Sequence, residues 1–175
     1  MRVLEHRRHS RRALTDIHLS PDGVALARRV ARTLGRFDRV LSSPKPRAVE
    51  TVAALGFPLD ATLPELGEMP DDAGVGAGEA SLDSFAAYVR LLGQSNAAAE
   101  YARRHADLMR SELDRLPDGG HLLLISHTGV LEFGAAAARP QDAVHWGPPA
   151  DCLEGVRLFL DRGAWVRGEV VRLPP

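Results

Sequence analysis

A single cysteine, Cys152, is present in 175 residues, so an intrachain disulfide is excluded and no CxxC metal knuckle exists. No run approaches the roughly 18 apolar residues of a membrane span. The N-terminus is basic, but no apolar segment follows it, so no secretory leader is predicted. Aromatic residues make up only 5%, too few to supply the stacking surface that nucleic-acid binding uses. Histidines are present, but His6, His18, His105, His121 and His145 show no HExxH or HxH spacing. They read as solvated or structural, and no metal or cofactor is expected. These absences leave a cytoplasmic protein that engages neither membrane nor nucleic acid.

What is present is a chain of ordinary hydrophobic content, 45%, long enough for one domain over residues 1–175 and short for two. Its net charge of −1 hides an asymmetry. Residues 1–50 sum to about +7 and residues 51–100 to about −7. The cations concentrate in "LEHRRHSRR" at 4–12, and all basic residues except Lys45 are arginine.

Along the chain, short apolar runs alternate with amphipathic segments. "MRVLEH" reads as a first strand. "LSPDGVALARRVARTLG" reads as a helix capped by Ser20, with Pro21 in its first turn and Gly35 at its end. "FDRVLSSP" is a second strand and "PRAVETVAALG" a second helix, followed by an extended "LDATLPEL". The Gly- and Asp-rich stretch near 70–80 is a short lid-loop candidate. Helices are predicted near 81–94 and 97–116, then a buried strand "HLLLIS", a small-residue helix "VLEFGAAAAR", and two strands turning at Arg162-Gly163. This order predicts a three-layer α/β/α sandwich with a mostly parallel central sheet. The hairpin and the alanines at 135–138 fit a dimer face or plain core, and the oligomeric state is open.

In such sheets ligands bind at the carboxyl ends of the strands. Three of those ends carry Arg8-His9-Ser10, Ser42-Ser43-Pro44 with Arg47 beyond, and Ser126-His127-Thr128-Gly129. Guanidinium forks match phosphoryl oxygens with paired hydrogen bonds, so an anion is expected there.

These blocks resemble the histidine phosphatase superfamily, also called phosphoglycerate-mutase-like. Its RHG signature is matched by Arg8-His9-Ser10, its helix entry by "LSPDG" at 19–23, and its SSPxxRAxxT block by Ser42, Ser43, Pro44, Arg47, Ala48 and Thr51. Its LxE element finds Leu63-Pro64-Glu65, and its SHxG element finds Ser126 to Gly129. The resemblance implies a metal-independent phosphomonoester hydrolase in which His9 attacks phosphorus and becomes a phosphohistidine. Glu65 would be the acid and base, with Glu68 as the alternative, and His127 would be the second catalytic histidine. Arg8, Arg47, Ser10, Ser43 and Thr128 would bind the phosphoryl group of a phosphorylated small molecule or phosphoprotein. A mutase using the same intermediate is the nearest alternative, and a phosphate-ester binding module without turnover is another.

The chain departs from the family pattern in three ways. Ser10 replaces the glycine of RHG, and no match exists for the asparagine after that loop or for the GxxWE run after the glutamate. The first strand also ends in Glu5-His6-Arg7, where apolar residues are usual; exposure is expected for two of the three. The remaining cations, Arg7, Arg11 and Arg12, are placed to steer anions to the site or to pair with Asp71, Asp72 and Glu79.

Overall fold

The computed structural model describes residues 1–14, 16–67, 69 and 82–174. Strands β1 (Arg2–Arg8), β2 (Arg39–Ser42), β3 (Ala61–Thr62), β4 (His121–Ser126), β5 (Gly155–Asp161) and β6 (Ala164–Val171) form one sheet in the order β3-β2-β4-β1-β5-β6. The β3, β2, β4 and β1 strands run parallel, and β5 and β6 add on antiparallel. The sheet is therefore mostly parallel. Helices α1 (Pro21–Ala31), α2 (Pro46–Leu55), α3 (Phe85–Gln94), α4 (Asn96–Asp114), α5 (Val130–Ala138) and α6 (Pro140–Ala143), with a single 3₁₀ turn at Pro64–Leu66, complete the described elements.

Strand alternation explains the layers. In β4, Leu123 and Ile125 pack with Leu26, Val30, Val52 and Leu55 of α1 and α2. Their neighbours Leu122 and Leu124 face the other way, onto Phe85, Met109, Leu113 and Phe133 of α3, α4 and α5. A strand buried on both faces must be apolar throughout, and "HLLLIS" is. The alanines Ala135 and Ala136 of α5 are fully buried, so that part of the helix is core.

Local signals act where the sequence put them. The Ser20 side chain caps α1 by accepting from the Gly23 amide at 3.0 Å. Gly56 ends α2 at φ 80°. Arg162 and Gly163 both have positive φ, which turns β5 into β6 with a twist suited to a hairpin. Helix α1 stops at Ala31, short of the expected Gly35, and the short α6 starting at Pro140 was not foreseen. The lid loop expected near 70–80 lies outside the described residues, as do Glu68, Asp71, Asp72 and Glu79.

The expectation for Glu5-His6-Arg7 is corrected: all three are buried. β1 is central, with both edges paired to β4 and β5, and side chains from distant segments cover its two faces. On one face Arg7 Nε donates to Glu5 Oε1 at 2.5 Å, and Arg7 Nη1 donates to the Leu153 carbonyl at 2.5 Å. Glu5 Oε2 accepts from Arg157 of β5 at 2.8 Å. Arg7 is thus committed to the fold and does not steer anions. On the other face His6 Nε2 is hydrogen-bonded to Ser126 Oγ at 2.5 Å, and its ring stacks on His105 of α4 with centroids 5.8 Å apart.

Candidate active site

Three neighbouring strand ends build the site. Arg8 is in register with Ser126, and Ser42 with Ile125, so the residues that follow emerge together at the carboxyl edge of the parallel strands. The ladder continues one step into the loops: the His9 amide donates to the Ser126 carbonyl and the Ser43 amide to the Ile125 carbonyl, each at 2.9 Å. His9 and His127, 118 positions apart in the chain, have ring centroids separated by 5.1 Å.

The protonation pattern of His9 follows from its partners. Its Nδ1 lies 2.6 Å from the Ser10 carbonyl, which can only accept, so Nδ1 carries the hydrogen. Nε2 then holds the lone pair, and Arg47 Nε donates to it at 3.1 Å. Burial lowers the His9 pKa to about 4; the Ser10 carbonyl opposes that shift, and Arg47, Arg8 and Arg12 add to it. Burial also lowers His127, to about 3, helped by Arg47, His9, Lys45 and Arg8. Both imidazoles are neutral at pH 7.

The cleft encloses about 490 Å³ and is lined by Arg8, His9, Arg11, Arg12, Arg47, His127, Thr128 and Cys152. No carboxylate lines it among the described residues. Arg8 Nη1 donates to the Ala150 carbonyl at 3.1 Å, whereas its buried Nε has no partner among the described residues. Burial lowers the Arg47 pKa, and the nearby charges of Arg12 and Arg8 add to the fall.

Ser10 and Ser43 stand behind the cleft rather than along it. Ser10 donates its amide to Thr51 Oγ1 at 2.9 Å and its hydroxyl to the Gly23 carbonyl at 2.7 Å, binding the His9 loop to α2 and α1. Ser10 is not among the residues with positive φ, so serine is unstrained where the family has glycine. Ser43 Oγ accepts from the Lys45 amide at 3.1 Å and is hydrogen-bonded to His127 Nε2 at 2.8 Å, so it orients the ring. Glycine is required at 129, where φ is 86° and a Cβ would lie 2.8 Å from Met69 Sδ. Glu65 sits on the single turn Pro64–Leu66, exposed, and does not line the cleft. The next glycine, Gly67, lies against Ser43, where a Cβ would be 2.9 Å from its hydroxyl.

Sequence reasoning missed Glu132. Its carboxylate is fully buried and accepts from the Gly129 amide at 2.7 Å and the Ala150 amide at 2.9 Å. It therefore joins the turn after His127 to the segment that holds Arg8. Burial raises its pKa, and those same amides oppose the rise. The available signal was one charge in an otherwise apolar helix, "VLEFGAAAA". Among the described residues no group of three or more His, Cys, Asp or Glu side chains is arranged to hold a metal ion. No described helix is long and apolar enough to cross a membrane.

A mostly parallel sheet whose strand ends bring two histidines and a set of arginines around one cleft defines the class. Residues 4–149 match the histidine phosphatase superfamily (branch 1), and the chain belongs to it. Among solved structures it is similar to the phosphoserine phosphatase of Entamoeba histolytica in complex with 3-phosphoglyceric acid, at 18% identity over 99% of this chain and 98% of that one, with a TM-score of 0.73. It is also similar to a mycobacterial glucosyl-3-phosphoglycerate phosphatase (22% identity, 98% of each chain, TM-score 0.66). A third similar structure is the protein histidine phosphatase SixA (19% identity, 96% of each chain, TM-score 0.60). At these identities the likeness speaks for the fold. No curated protein gives a significant match.

Proposed function

We propose that this protein is a phosphomonoester hydrolase that works through a phosphohistidine on His9. The observation that carries the reading is the tautomer. With the Nδ1 hydrogen committed to the Ser10 carbonyl, the Nε2 lone pair faces a cleft lined by four arginines. A neutral imidazole so held is a competent nucleophile at pH 7.

In the first step Nε2 forms a bond to phosphorus as the ester P–O bond breaks. The leaving oxygen takes a proton from a carboxylic acid; the family resemblance gives that role to Glu65, which stands outside the cleft lining, with Glu68 as the alternative. In the second step water attacks the phosphohistidine, its proton passes to that carboxylate, and the P–N bond breaks to release inorganic phosphate. Arg8, Arg47 and His127 hold the phosphoryl oxygens and offset charge in both transition states. The free Arg8 Nε and the Arg47 fork support those roles. Thr128, at the cleft wall, adds a hydroxyl to the same oxygens. No step calls on a metal.

The test incubates the protein with a panel of phosphate esters, with and without chelator, and follows both inorganic phosphate and protein mass. The expected result is chelator-insensitive phosphate release, blocked by vanadate, with a transient gain of one phosphoryl group that His9→Ala abolishes. Undiminished phosphate release by His9→Ala would falsify the assignment.

A further inference from the structure

The charge around the cleft exceeds what one phosphoryl group requires. A phosphate ester carries about −1.5 to −2 at pH 7, and Arg8 and Arg47 bring two positive charges to it, with Arg8 also 3.8 Å from the exposed carboxylate of Asp151. Arg11 and Arg12 also line the cleft; neither pairs with a carboxylate among the described residues, and Arg12 makes one long hydrogen bond, to the Asp16 carbonyl at 3.4 Å. Their side chains are exposed, yet their backbone is fixed. The Arg11 carbonyl accepts from the Ser20 amide at 3.0 Å, and it lies so close to Gly23 that a Cβ there would be 2.0 Å away. Arg12 pairs with Leu19 in an isolated antiparallel bridge, and the Ala13 amide donates to the His18 carbonyl at 3.1 Å. The returning limb is fastened to α2: Glu50 accepts from the Leu19 amide at 2.7 Å and pairs with the His18 ring. Two uncompensated guanidinium groups are thus presented beside the phosphoryl site by a braced loop.

We infer that Arg11 and Arg12 form a second anion subsite, and that the substrate is a small phosphomonoester bearing a further anionic group, carboxylate or phosphoryl. This rests on the hydrolase reading for its chemistry, but the subsite is a statement about binding. Crowded cations repel one another, and that repulsion is relieved in proportion to the anionic charge that enters. A neutral alcohol moiety leaves Arg11 and Arg12 unsatisfied, whereas a second anion engages them with charge-assisted hydrogen bonds. A cleft of about 490 Å³ is the size of a small-molecule site.

The experiment uses phosphonates, whose P–C bond is not hydrolysed, so it reads binding whether or not the protein is a phosphatase. Propylphosphonate, 3-phosphonopropanoate and propane-1,3-bisphosphonate are titrated by NMR into the full chain, into R11A/R12A, and into R90A/R103A. The last variant removes the same charge from exposed positions on α3 and α4. At least one doubly anionic ligand is expected to bind about tenfold more tightly than propylphosphonate. That ratio is expected to fall to within about twofold in R11A/R12A and to persist in R90A/R103A. The arm that gains more identifies the second group as carboxylate or phosphoryl. Equal affinities in the unmodified chain overturn the subsite. So does a ratio that survives R11A/R12A, or one that drops equally in R90A/R103A. Failure of the hydrolase reading shows instead as absent phosphate release from esters, with this binding pattern intact.

Discussion

Arg47 Nε donates to His9 Nε2 at 3.1 Å, so the atom proposed to attack phosphorus has a guanidinium for its partner. The contact requires a neutral ring. It also means that the residue proposed to hold the phosphoryl oxygens already touches the nucleophile and needs only a small displacement to receive them.

The pH profile tests that relationship. The His9 pKa is lowered to about 4, so the nucleophile stays deprotonated well below the 6.5 of free histidine. The rate kcat/KM on an alkyl phosphate is expected to show an enzyme limb near pH 4, distinct from the substrate's own ionisation near pH 6. Measurement with esters of different second pKa separates the limbs, because only the upper one moves.

Arg47→Ala is expected to lower kcat/KM about 10²- to 10³-fold, the usual loss when one preorganised donor to a developing charge is removed. Arg47→Lys is expected to recover only part, since an ammonium is a point charge without the planar fork. Steady-state kinetics on one aryl phosphate decides both.

Which glutamate supplies the proton is decided by Glu65→Gln and Glu68→Gln. Loss of the acid is expected to cost about 10²- to 10⁴-fold with a poor leaving group and much less with p-nitrophenolate, which departs without protonation. The variant in which the two substrates diverge identifies the acid.

Stability is expected to fall in mild acid. His105 is lowered to about 4 by burial, and His6 well below its usual value by burial and by His105 and His127. The unfolded chain takes up these protons near pH 6.5 and the folded chain does not, so the stability is complete above pH 6.5 and is lost as pH drops toward 4. The slope is about 1.4 kcal/mol per pH unit for each group. Urea melts between pH 7 and 4.5 measure it, and His105→Phe, a ring that does not titrate, is expected to flatten the slope.

Glu132→Gln is expected to destabilise by about 1–3 kcal/mol, because a carboxamide has one acceptor oxygen for two buried amides. It is also expected to lower kcat, since the loops it joins carry His127 and the contacts of Arg8. Denaturant titration and kinetics on the same preparation report the two effects separately.

How much of this was legible depended on whether a residue's surroundings were local. Strand β4, the capped start of α1 and the turn at Arg162-Gly163 are written in adjacent residues, and the motif spacing brought out His9, Arg47 and His127. Adjacent residues suggest exposure for two of Glu5, His6 and Arg7, because the partners that bury Glu5 and Arg7 lie about 150 residues away, at Arg157 and Leu153. Ser10 looked like a phosphate ligand because nothing nearby reveals that Gly23 and Thr51 take its donors. Glu132 was hidden for the same reason, its partners being amides of two different loops.

The position of β1 constrains how the polypeptide can be made. Its neighbours in the sheet are residues 121–126 and 155–161, more than a hundred positions further along the chain. Until residues 155–161 are made, one edge of it is open and the Glu5–Arg7 pair lacks Arg157. Non-local pairing of this kind is slow and leaves an edge available to other chains. A nascent chain stalled before Gly155 therefore carries an unfinished sheet whose open edge is a template for pairing with other chains.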